Sequence, residues 1–346
     1  MPHFFVSETS ANRYSLIIAA AAMALCGVVV AAFATGRYPV LLSDLLRILW
    51  SWVGGTPHGL DSTLETVVLQ IRGPRVIAAV LVGAALAAAG AAYQNLFRNP
   101  LVSPDILGVS AGAAVGAILG IFLSLGVVAI QSMAFAGGLA AVGMVYVVAR
   151  AVRGHDPLLV LVLAGVVLGA LLGACVALMK YLADPYNQLP AITYWLLGSL
   201  ASTDSRDMWV AAPLLLVGLL PLWLLRWRIN VLSLDDEEAR SLGVSAGRIR
   251  LVVIVAATLM TSTAVAISGV IGWIGLVIPH FVRLLTGPDF SKLLPVSVLL
   301  GAGFLVAVDT MARAMANIEV PLGVLTAFVG TPLFLWQLAT ARRGWQ

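Results

Sequence analysis

The chain predicts an all-α, polytopic membrane protein: about ten transmembrane helices in a tightly packed bundle, with residues 1–346 as one membrane domain. Three observations carry this. Hydrophobic residues make up 61% of the 346 and charged residues 10%, and the mean hydropathy is +1.01. Uncharged runs recur at close to the roughly 20 residues that cross a hydrocarbon core of about 30 Å. Small residues recur at four-residue spacing inside those runs, clearest at Gly108, Gly112, Gly116 and Gly120 and again at Gly165, Gly169 and Gly173. In lipid, where burying an apolar side chain gains little, such stripes let helices associate by close van der Waals packing.

Taken in order, the spans read as 14–35, 67–92, 106–124, 127–149, 158–179, 208–226, 251–267, 270–287, 293–312 and 321–339. The first ends in Ala32-Phe33-Ala34, which resembles a signal-peptidase site. Its run exceeds the ~7 to 15 residues of a signal h-region, however, and its flank carries Glu8 as well as Arg13, so it reads as an uncleaved span. Between spans two and three, Asn99-Pro100 and Ser103-Pro104 stop one helix and restart the next, with Ser103 expected as the cap and Pro104 and Asp105 in the first turn. The loop after span five predicts a short helix over 190–200, with Tyr194 and Trp195 at interface-like depth and Ser199 near its end. It is too short to span and belongs at a membrane mouth.

The most polar part of the chain stands between spans six and seven. Arg226 to Arg250 holds nine of the 36 charged residues (20 basic plus 16 acidic), including the run Asp235-Asp236-Glu237-Glu238, followed by Arg240, Leu242 and a Gly243 helix stop. A helix-forming charged island between apolar runs is costly unless it lies outside the bilayer, facing a partner.

Ten spans put both termini on one side. With the N-terminus cytoplasmic, thirteen Lys and Arg fall inside, among them Arg98, Arg153, Arg240, Arg342 and Arg343, against seven outside, among them Arg37, Arg72, Arg75 and Arg313. The island then faces the cytoplasm, and the net charge of +4 reflects membrane anchoring, with no call for nucleic acid. Cys26 and Cys175 lie in spans and read as packing residues without a metal or redox role.

Charge within the spans is sparse. Asp309 and Arg313, one helical turn apart, read as a local ion pair, and Glu65, Glu319, Lys180 and His280 as interfacial groups. A proton-coupled carrier needs buried titratable relays, so a self-contained secondary transporter or channel is the weaker alternative class. The chain also lacks a Gly-x-x-x-x-Gly-Lys-Ser/Thr loop, and its only lysines are Lys180 and Lys292, so it does not itself cradle ATP phosphates. The driving force is expected from another subunit pressing on the island.

Six stretches are similar to one family. IRGPR (71–75), GAALAAAGAAYQNLFRNPLVSPDILGVSAGA (83–113), YWLLGSL (194–200), ARSLG (239–243), SGVIGWIGLVIPHFVR (268–283) and PLGVLTAFVGTPLFLWQL (321–338) resemble the permease subunits of iron-chelate and cobalamin ABC importers of type II. The resemblance covers nearly the whole chain. It implies a transport subunit that is not itself an enzyme and holds no cofactor, in a bacterial or archaeal cytoplasmic membrane. Its implied partners are two ATPase subunits carrying ATP–Mg, a second permease copy (a homodimer, or a close heterodimer) with the pathway on the two-fold axis, and an extracytoplasmic substrate-binding protein.

The resemblance also implies roles. Asp235, Asp236, Glu237, Glu238, Arg240, Leu242 and Gly243, inside a segment of about 228–250, would form the coupling helix seated in the ATPase. Arg72, Arg75 and Arg313 would meet acidic residues of the binding protein, and Asn99 and Leu101 would belong to a cytoplasmic gate. The 190–200 helix, with Tyr194, Trp195 and Ser199, is read as a gate at the outer mouth. The expected cargo is an iron chelate, siderophore or haem, with cobalamin and molybdate-like oxyanions as alternatives. Leu158-Leu159 stands where cobalamin members carry a hydroxyl-bearing pair, which argues against cobalamin.

Overall fold

The computed structural model describes residues 5–36, 38–54, 59–152, 156–315 and 318–341. Arg37, Arg153, Arg342 and Arg343 of the charge tally lie outside them. Every regular element among the described residues is helical. After α1 (Phe5–Ala34) comes α2 (Leu42–Gly54), which the hydropathy pattern did not announce; its Leu45 and Ile48 are buried with Val40, Leu64 and Val68. The short α3 (Ser62–Thr66), capped by Asp61, runs through a π-helical turn (Val67–Arg72) into α4 (Gly73–Leu96). That wide turn falls just ahead of Pro74, which has no amide to give the ladder.

A 3-10 turn (Pro104–Leu107) leads into α5 (Val109–Phe122), α6 (Val127–Ala151), α7 (Pro157–Leu182), α8 (Gln188–Leu197) and α9 (Ser205–Leu224). The charged island forms α10 (Arg226–Val231) and α11 (Asp236–Ser241), and the chain closes with α12 (Ala246–Ser268), α13 (Ile274–Thr286), α14 (Phe290–Ala314) and α15 (Leu322–Ala341). Among the described residues, seven helical stretches are long and apolar enough to cross a membrane, and α5, α13 and Leu322–Gln337 are shorter apolar helices. Together they match the ten expected spans one for one.

Two expectations need correction. Span eight starts at Ile274 and not at 270, because α12 ends at Ser268 and the backbone turns sharply, with Trp273 at φ +72. In span three the α-helix starts at Val109, and Ser103 makes no side-chain cap, because the Pro104 turn is 3-10 and ends at Gly108 before the helix begins. Asp105 instead accepts a hydrogen bond from the Ser110 hydroxyl.

The core gathers around α4, whose alanines from Ala85 to Ala92 are buried. Its glycines set the spacing. A Cβ on Gly90 would lie 1.9 Å from the Gly275 carbonyl oxygen of α13, and one on Gly83 would lie 2.3 Å from that of Gly301 on α14. The first small-residue stripe works the same way: a Cβ on Gly116 would lie 2.0 Å from the Met133 carbonyl of α6. The second stripe divides. A Cβ on Gly165 would lie 2.2 Å from the Ile106 carbonyl, whereas Gly169 and Gly173 meet nothing within 4 Å.

Candidate functional site

The island end of the bundle is held by two asparagine side chains. Asn95 Nδ2 at the end of α4 donates to the Ile229 carbonyl at 2.9 Å. Asn230 Nδ2 donates to Asp289 Oδ1 at 2.6 Å, and its Oδ1 accepts from the Phe290 amide at 2.7 Å, so α10 is fastened to the start of α14 as well. Beyond α10 the chain projects as α11, with Ala239 buried beneath it. Gly243, at φ +73, closes the helix: its amide donates to the Arg240 carbonyl at 2.9 Å, and the Val244 amide reaches back to Ala239 at 2.9 Å.

The four-acid run splits in two. Asp236 takes both Arg250 Nη atoms, at 2.6 and 3.1 Å, and Asp235 faces Arg98 Nη1 at 3.5 Å. Glu237, Glu238, Arg240 and Leu242 are exposed, and among the described residues no side chain pairs with the three charged ones. Two acids therefore tie α11 down, and the remaining groups face outward.

The expected gate lies beside it. Asn99 Oδ1 accepts from the Leu101 amide at 2.9 Å, a local turn that leaves Leu101 51% exposed. A cavity of about 520 Å³ opens between this turn, the start of α7 and α11, lined by Asn99, Leu158, Leu159, Asp235, Asp236 and Arg250 among others. Residues spread over 150 positions of sequence thus share one cavity, and its α7 wall is leucine where a hydroxyl pair was the alternative.

At the opposite end the three arginines are engaged inside the chain. Arg72 donates to the Phe33 carbonyl and, at 2.6 Å, to the Tyr38 carbonyl. Arg75 meets Asp309 through Nε at 2.9 Å and Glu319 through both Nη atoms at 2.9 Å. Arg313 Nε donates to Asp309 at 3.1 Å, the expected local pair, and Nη2 reaches the Ala32 carbonyl at 3.3 Å. Arg72 and Arg75, three residues apart, take different partners: Arg72 turns toward the end of α1 and Arg75 toward α14. Glu319, expected as an interfacial group, is the second carboxylate of this cluster.

The short helix α8 reaches Leu197, and Ser199 follows it in a junction of three elements. The Ser199 amide donates to the Ser268 carbonyl of α12 at 2.8 Å, and the Leu322 amide of α15 donates to Gly198 at 3.0 Å. Tyr194, Trp195 and Ser199 line one cavity of about 280 Å³. A larger hollow, about 710 Å³, is walled by Leu196, Leu197, Trp273, Ala327 and Phe328 with no charged group. Trp273, held with positive φ, stacks edge-on against Phe334. Among the described residues no cluster of three or more His, Cys, Asp or Glu is positioned to hold a metal.

Sequence reasoning missed Arg98, Arg250, Glu319 and Trp273. The first two stood among counted charges, but their partners are fixed only by tertiary packing.

Comparison with known proteins gives consistent matches. A family model described as the FecCD transport family matches residues 23–340. The molybdate import system permease protein of Haemophilus influenzae is 36% identical over 334 residues, covering 96% of this chain and 98% of that one. A probable iron chelatin transport system permease protein of Helicobacter pylori is 44% identical over 283 residues (81% and 85% covered). The hemin transport system permease protein of Yersinia pestis is 42% identical over 308 residues (87% and 90%). Among solved structures, one described as an inward-facing conformation of a metal-chelate type ABC transporter superposes with a TM-score of 0.84 at 34% identity, covering 94% of this chain and 99% of that one.

Proposed function

We propose a function from one premise: the chain belongs to the FecCD transport family. It is a multi-pass permease of a type II ABC importer, so the alternative of a self-contained carrier falls away. ATP–Mg is bound and hydrolysed by separate ATPase subunits that seat α11, with the island and both termini in the cytoplasm. The observation that carries this coupling role is the division of α11: Asp235 and Asp236 are tied to the bundle, while Glu237, Glu238, Arg240 and Leu242 face outward. A second copy packs along α7, where Gly169 and Gly173 leave small-residue surface open within one chain. A binding protein docks at the opposite end, above three guanidinium groups balanced by two carboxylates.

The cargo we assign is an iron chelate, siderophore or haem. Supporting this is the hollow of about 710 Å³, whose leucine, alanine and aromatic walls suit a bulky chelate with apolar flanks and offer no donor array for a small oxyanion. The iron-chelatin and hemin permeases among the relatives point the same way. The molybdate permease, matched over nearly its full length, keeps an oxyanion as the second reading. The test is ATP hydrolysis by the permease reconstituted with a partner ATPase and binding protein from the same organism. Binding protein loaded with ferric siderophore or haem should stimulate hydrolysis. Stimulation by molybdate alone would overturn the cargo, and failure of any ATPase to co-purify would overturn the importer assembly.

A further inference from the structure

Arg98 is an outlier twice over. It closes α4 at φ +50, in the left-handed region that a glycine ordinarily fills at a helix end. The surrounding bonds are those of such an end: the Arg98 amide donates to Asn95 at 3.2 Å and the Asn99 amide to Gln94 at 3.1 Å. An L side chain there costs roughly the strain that persists only where the surroundings over-determine it. What the surroundings supply is a three-point clasp. Arg98 Nε donates to the Leu232 carbonyl at 3.0 Å, Nη2 donates to the Leu234 carbonyl, and Nη1 faces Asp235 at 3.5 Å. A planar guanidinium presents its donors in a fixed fork to acceptors spread around its edge, a geometry that the compact tetrahedral ammonium of a lysine does not reproduce.

The clasp has a direction. Its backbone is the residue immediately before Asn99, and its side chain grips the residues immediately before α11. The segment it grips is anchored behind by Asn95 and Asn230, so α11 is joined to the bundle through α10, through Arg250 and through Arg98. Of these, Arg98 alone continues directly into the turn at Asn99 and Leu101. The cavity of about 520 Å³ beside it, lined by Arg98 as well as by Asn99 and Asp235, leaves room for that turn to move.

We propose that Arg98 is the strut that carries displacement of α11 to the Asn99–Leu101 turn, a positioning residue for the gate and not merely a helix cap. This rests on α11 being the ATPase contact, and the experiment separates the two. In the full complex of permease, ATPase and binding protein in nanodiscs, Cys26 and Cys175 are replaced by Ala and Leu101→Cys is introduced. Labelling by a membrane-impermeant maleimide is timed without nucleotide and after incubation with ATP, Mg and vanadate, which traps the hydrolysed nucleotide as ADP–vanadate. In the Arg98 parent the labelling rate should change about tenfold between the two states, the size of an ordinary coupling between sites.

Arg98→Gly is the deciding variant because it relieves the backbone strain while deleting the fork. Its apparent Tm should equal or exceed the parent's and the ATPase should still co-purify, yet the nucleotide-dependent change in labelling should vanish. Arg98→Lys, which keeps the charge but not the three-point geometry, should restore only part of it. A full response in Arg98→Gly overturns the strut while leaving the ATPase contact standing. No response in the Arg98 parent overturns the gate, and the strut with it; loss of the ATPase from the parent complex instead overturns the α11 contact on which the strut rests.

Discussion

Replacing Asp309 by Asn should destabilise the permease, and doing the same in an Arg75→Met background should cost much less. Asp309 is 1% exposed and accepts from Arg75 at 2.9 Å and from Arg313 at 3.1 Å. At 2.9 Å and an effective dielectric constant near 20, one such contact is worth about 6 kcal/mol before desolvation. Burying the ions offsets several kcal/mol of that, so the pair as a whole contributes little net stability while the loss of one partner is expensive. Asp309→Asn leaves Arg75 with Glu319 and Arg313 with backbone oxygens, which puts the loss near the lower end of the usual range, about 3 kcal/mol. The apparent Tm of the purified permease, followed by tryptophan fluorescence in nanodiscs, should fall on the order of 10 °C. In the double variant the two losses should fall short of their sum by roughly 1–3 kcal/mol. Additivity within about 0.5 kcal/mol would refute the reasoning, because it would mean that the two side chains do not share one energetic unit.

Three other expectations follow from the same geometry. Glu237→Ser with Glu238→Ser should weaken ATPase co-purification without lowering the Tm, whereas Asp236→Ser should lower the Tm, since its Arg250 partner is inside the chain; pull-down yield and melting curves check this, and the reverse pattern would count against the division of α11. Gly90→Val should fail to fold, because even a Cβ meets the Gly275 carbonyl at 1.9 Å, while Gly169→Val should fold and disturb only the pairing of two copies, read by light scattering. Glu319→Gln should speed association with the binding protein at low salt by raising the net positive charge of the cluster, and the gain should shrink in high salt; an unchanged on-rate by surface plasmon resonance would remove these arginines from docking.

The ten spans were legible because hydropathy and length respond to the same requirement that makes a helix cross lipid. What hydropathy does not respond to is a break inside an apolar run. The stretch from Ser268 to Trp273 is apolar or small throughout, so nothing in it marked the positive φ at Trp273 that shortens span eight. Ser103 had the right type and place for a cap, but the following proline led into a 3-10 turn, and the capping rule applies only to an α-helical first turn. The location of the charged island and the Gly243 stop were readable from local pattern alone. Its internal division was not, because Asp235 and Asp236 differ from Glu237 and Glu238 only through Arg98, 137 residues away from Asp235, and Arg250. The Arg75–Glu319 fork spans 244 positions and left no trace in spacing.

The two ends of the bundle use charge in opposite ways, and this separates architecture from recognition. At the arginine end, guanidinium groups are satisfied by carboxylates and carbonyls of α1, α14 and the segment leading to α15, so a docking partner would meet a cluster that is already organised. Buried pairs of this kind fix geometry, and breaking them by charge reversal would confound association with misfolding. Within the cluster, Glu319 is the exchangeable member: its side chain is 34% exposed against 1% for Asp309. On the proposed docking role, a partner's carboxylate would take over the Arg75 fork from Glu319 and leave the buried contact to Asp309 in place. At the island end the charges divide along the segment: Asp235 and Asp236 are paired with Arg98 and Arg250, and Glu237, Glu238 and Arg240 have no partner among the described residues. On the proposed coupling role, a partner there would supply the missing counter-charges and push on a helix whose attachments run into the bundle. On the proposed roles, the two arrangements suit a binding protein that comes and goes and an ATPase that transmits force through a contact that does not slip.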